Sequence, residues 1–159
     1  MSENWLRESE VRRFAWILLV LTGLFVFRVV AQLIQVLHPV AFLPSFETWQ
    51  SGAFPYPLLL GFQVTIVGLC LRVVWRMFRG AMLPVQKKGK ILLYLGGLYI
   101  GVMGIRLVVG LTVAPDHFWF GARLPTVFHF VLAAFLLAYG RFHVSVANPS
   151  NPVHQEATV

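Results

Sequence analysis

Four apolar runs, at 14–37, 57–78, 91–113 and 125–142, dominate this sequence. At about 1.5 Å of rise per residue, a helix of that length crosses a hydrocarbon core about 30 Å thick, the last run only just. Inside lipid the backbone has no water to bond to, so a single run of this kind must satisfy its own amides as a helix. The expected fold is an all-α integral membrane protein with four transmembrane helices in an up-down bundle.

Composition agrees. The chain is 58% hydrophobic and 12% charged, too little charge for the surface of a soluble domain of this size. The formal charge of +7 would suggest nucleic acid on a soluble protein. Here the cations flank the apolar runs, which is the pattern that orients a membrane protein. Arg7, Arg12 and Arg13 precede the first run. Arg72, Arg76, Arg79, Lys87, Lys88 and Lys90 surround the second connection, and Arg141 closes the fourth run. The other two loops, 38–56 and 114–124, hold only Arg123. Both termini are therefore expected on the cytoplasmic side of the inner (plasma) membrane.

The expected organisation is a cytoplasmic segment 1–13, a membrane domain 14–142 and a cytoplasmic tail 143–159 that is disordered at its end. The first run is longer than a signal-peptide core and lacks a closely following cleavage pattern, so it reads as a retained helix. The outer loops are rich in Pro and aromatics, Trp49 and Trp119 among them, and suit the headgroup zone. The single cysteine, Cys70, reads as a small packing residue and permits no internal disulfide.

A polar stripe interrupts the first run. In FRVVAQLIQVLH, Arg28, Gln32 and Gln35 fall at i, i+4 and i+7 and share one helix face. Gln63, Arg106 and His129 sit at comparable outer depth in the other runs. An arginine at a helix centre costs about 2.5–3.5 kcal/mol on insertion scales, so it normally faces the bundle and a partner. Two readings follow. In the first, Glu47 and Asp116, the acids of the outer loops, pair with Arg28 and Arg106. In the second, the arginines bind an anionic head, the glutamines orient it and His129 handles a proton. Arg72 and Arg76, near the inner end of the second run, are expected to snorkel to the headgroups.

The segments 23–33 and 101–111 both run Gly, four residues, Arg, then apolar residues and Leu. A duplication of one helical hairpin gives such a match, and so does chance in a small alphabet of Leu, Val, Gly and Phe. Gly97, Gly101 and Gly104 form a small-residue stripe about 180° from Arg106 at 100° per residue. With Arg106 placed inside, that stripe becomes a candidate interface for a homo-oligomer or a membrane-protein partner.

The functional expectation is an outer-half pocket for an anionic lipid-like or small amphipathic ligand. The candidate ligand residues are Arg28, Gln32, Gln35, Gln63, Arg106 and His129. The alternative is a non-catalytic subunit or assembly factor whose polar residues pair internally. A third reading is a b-type haem held by His38 and His129, although no cofactor is expected. No zinc spacing, Walker loop, dinucleotide fingerprint, nucleophile elbow or Cys-x-x-Cys motif occurs, so whether the chain is an enzyme stays open.

Overall fold

The computed structural model describes residues 2–50, 52 and 54–147, with side chains from Glu8 onward. The end of the tail, expected to be disordered, lies outside the described residues. Four helices account for most of the chain: α1 (Ser2–Leu37), α2 (Tyr56–Phe78), α3 (Gln86–Thr112) and α4 (Arg123–Ala147). A short 3-10 turn, Phe46–Trp49, lies between α1 and α2. All four helices are long and apolar enough to cross a membrane.

The helices outrun the apolar segments. α1 starts at Ser2, α3 takes in Lys87, Lys88 and Lys90, and α4 continues past Arg141 to Ala147. These ends carry charged residues but no Pro or turn signal within the helix to stop it.

Packing follows from heptad stripes. α1 buries Ala15, Leu18, Thr22, Phe25, Val29 and Gln32, which alternate spacings of three and four. α2 buries Gln63, Cys70, Val74 and Met77 on one face. α3 buries Gly89, Gly96, Met103 and Gly110, seven residues apart each time. These glycines let α4 approach closely. A Cβ added to Gly89 would lie 2.8 Å from the Gly140 carbonyl oxygen, and one on Gly96 would lie 2.8 Å from Leu137 Cδ2. Small residues at a helix crossing permit this contact and gain dispersion energy from it.

Backbone contacts join α1 to α2, α1 to α4, and α3 to α4, whereas α2 and α3 do not approach each other closely. α1 and α4 thus form the central pair. One end of the helices has an apolar core of Ala15, Leu18, Val74, Met77, Phe135 and Phe142 with their neighbours. The other end is polar.

The connection from α2 to α3 is tightly specified. Gly80 has φ +63°, the left-handed conformation that closes a helix. Its N–H donates to the Met77 carbonyl at 3.0 Å, and the Ala81 N–H donates to the Arg76 carbonyl at 3.0 Å. At the start of α3, the Val85 N–H donates to His143 Nδ1 at 3.1 Å.

Candidate functional site

The polar end is assembled from all four helices and both long loops. Arg28 and Gln32 lie one turn apart on the buried face of α1, where they are 6% and 0% exposed. Gln63 of α2 is 3% exposed and donates from Nε2 to Gln32 Oε1 at 3.0 Å. Arg106 of α3 is 3% exposed. His129 of α4 is half-buried, and its Nδ1 lies 2.6 Å from the Tyr99 hydroxyl. Arg28 and Arg106 lie close enough to the neutral Tyr99–His129 pair to interact with it electrostatically.

The arginines do not take the expected acid partners. Arg28 Nη2 donates to the Trp49 carbonyl at 3.1 Å. Arg106 donates to the Trp119 carbonyl twice, from Nε at 3.0 Å and from Nη2 at 2.7 Å. Glu47 and Asp116 are exposed, and among the described residues neither forms an ion pair with an arginine. A carboxylate at the loop surface keeps its hydration, whereas a backbone carbonyl folded inward needs a donor in any case.

Both bonds fold a loop back onto the helices. The Trp49 indole is buried, donates to the Pro44 carbonyl at 3.0 Å and stacks on Phe128 with centroids 6.1 Å apart. Phe128 also lies under the Arg28 guanidinium, 5.5 Å away. Trp119 sits 4.4 Å from the Arg106 guanidinium. The loop before α4 passes directly over Gly110, whose added Cβ would collide with the Phe120 carbonyl. His117 holds that loop by accepting from the Trp119 N–H at 3.2 Å.

Three polar atoms of the layer have no partner among the described residues: Arg28 Nε, Gln32 Nε2 and Gln63 Oε1. Reversing both amides would exchange the names and leave the same balance, one amide donor and one amide acceptor unused. Buried unsatisfied groups each cost about 1–3 kcal/mol, and more when charged.

The structure divides the expected ligand residues. Arg28, Gln32, Gln63, Arg106 and His129 belong to the polar end. Gln35, although buried, serves its own loop: its Oε1 accepts from the Val40 N–H at 2.9 Å and its Nε2 donates to the Val40 carbonyl at 3.4 Å. Gly97 and Gly101 are exposed with open space at their Cβ positions, and Gly104 is half-buried with the same open space. His38 is exposed beyond the end of α1, whereas the His129 Nδ1 is taken up by the Tyr99 hydroxyl. Among the described residues, no group of three or more His, Cys, Asp or Glu is arranged to hold a metal ion.

Tyr99 escapes the sequence reading because a lone tyrosine in an apolar run carries no signal. Placing α3 against α4 at Gly96 and Leu137 brings it to His129.

Comparison with family models, with curated proteins and with solved structures finds no match to this chain.

Proposed function

We propose that this is a multi-pass inner-membrane protein, both termini cytoplasmic, whose polar end binds an amphiphile with an anionic head. The observation that carries this reading is the set of buried unpartnered atoms, Arg28 Nε, Gln32 Nε2 and Gln63 Oε1, in a layer with two guanidiniums and no acid. Carbonyl dipoles solvate a guanidinium but do not cancel its charge. An anionic oxygen supplies what they lack, and Arg presents a planar fork suited to phosphate or carboxylate. A hydroxyl on the same head would use the unpaired amide donor and acceptor. In this reading the amphiphile enters between α2 and α3, which make no close backbone contact, and keeps its apolar part in lipid. In this reading the Tyr99 hydroxyl and His129 Nδ1, 2.6 Å apart, are the groups that exchange a proton with the bound head.

A second reading, a non-catalytic subunit or assembly factor, is favoured by one observation. Both arginines are already employed in holding loops. In that reading the open stripe of Gly97 and Gly101 docks a partner helix.

Native mass spectrometry of the full-length protein, with chemical extraction of bound molecules, separates the two. The ligand reading expects a co-purifying anionic amphiphile that is absent from Arg28→Gln. A ligand-free monomer of unchanged mass from native membranes would refute it.

A further inference from the structure

The end opposite the polar layer contains a cavity of about 760 Å³. It opens between the first turns of α1, the end of α2, the α2–α3 turn and the last turns of α4. Its floor is apolar: Met77, Phe142 and Val146 are all buried. Its lining includes two basic residues, Arg12 and Arg79, against one acid, Glu8. Leu83 of the turn stands at the margin, 81% exposed.

We propose that this cavity is a binding site for an anionic phospholipid, with the phosphate between Arg12 and Arg79 and the upper acyl chain against Phe78 and Leu83. Three observations select that occupant. The first is charge: Arg12 is exposed, the Arg79 guanidinium lies 4.3 Å from the centroid of the exposed Trp75 ring, and neither has an acid partner among the described residues. The second is the exposed apolar lining. A free phosphate would satisfy the rim and leave Phe78 and Leu83, 44% and 81% exposed, facing water, and a zwitterionic lipid would bring its own cation to a rim with more basic than acidic residues. The third is place and size. The cavity lies where the ends of α1 and α2 meet a turn closed by Gly80, and its volume suits a headgroup with its first methylenes. Basic pockets between membrane helices at this level recognise phosphorylated headgroups. The site is independent of the polar end and uses none of its residues.

The test uses the full-length protein in detergent, titrated with phosphatidylglycerol or phosphatidylcholine and read by native mass spectrometry. Phosphatidylglycerol is expected to be retained in preference to phosphatidylcholine. Arg12→Gln with Arg79→Gln should weaken that retention about thirtyfold, and the Lys pair should keep most of it. Millimolar inorganic phosphate should not displace the lipid. Should the double variant unfold, Arg79→Gln alone carries the test, with an expected loss of about fivefold. Arg28→Gln, run in parallel, removes any adduct held at the polar end and leaves this one. Equal retention of the two lipids, full retention by the Gln variants, displacement by free phosphate, or a protein dimer in place of the lipid adduct would each overturn the proposal.

Discussion

Arg28 and Arg106 occupy matching places in the two halves of the chain and perform the same act with different completeness. Each lies in the first helix of a hairpin and reaches a tryptophan carbonyl in a loop that folds back over the helices. Arg106 grips Trp119 with two donors, the shorter at 2.7 Å, and the loop lies flush on Gly110. Arg28 touches Trp49 through one donor at 3.1 Å and keeps Nε free among the described residues. The residue four positions on differs as well. It is Gly110 in α3, which admits the loop backbone, and Gln32 in α1, which fills that space with an amide and reaches Gln63. The lesson is a division of labour: one arginine is a clasp, and the other is a clasp with capacity left over.

The strongest way to break this comparison is Arg106→Ala. It removes both bonds to Trp119 and leaves a carbonyl unpaired, an expected loss of about 3 kcal/mol in thermal or denaturant unfolding in detergent. Gly110→Ala comes next. Its methyl meets the Phe120 carbonyl, so the loop must lift, at about 2 kcal/mol. Loss of protease resistance between 114 and 122 would report the lifted loop. Gln63→Leu strands Gln32 and should cost about 1.5 kcal/mol, whereas Gln32→Leu with Gln63→Leu removes both partners and should restore most of that stability. A double-mutant cycle on melting temperature reads the coupling; additive losses would dissolve the pair. Gly97→Ala should be smallest, within about 1 kcal/mol of neutral and on the stabilising side, because its Cβ position is open and Ala is the better helix former. A clear loss there, or a change in oligomeric mass, would place that face against a partner helix.

Much of the architecture is legible in the residues. Apolar runs of spanning length force helices, and the Arg28–Gln32 stripe at helical spacing announces a buried polar face. What neutralises the arginines is not legible. Glu47 and Asp116 are the acids a sequence offers, but the acceptors are backbone carbonyls, which every residue possesses. The glycines show a second limit. α3 carries Gly89, Gly96 and Gly110 on one stripe and Gly97, Gly101 and Gly104 on another, both with close-packing spacing. Only the position of α4 decides that the first is the packed one. The role of Gln35 was nearer to hand, since a glutamine in a helix's last turn, just before Pro39, is placed to bond the departing backbone.

The claim that Arg28 serves a ligand while Arg106 serves the fold is tested most directly by measuring native mass and melting temperature together for Arg28→Gln. The expected result is a folded protein, melting within a few degrees of the parent, that has lost the anionic adduct the parent carries. An Arg28→Gln protein that keeps the adduct, or that unfolds as Arg106→Ala does, would contradict it.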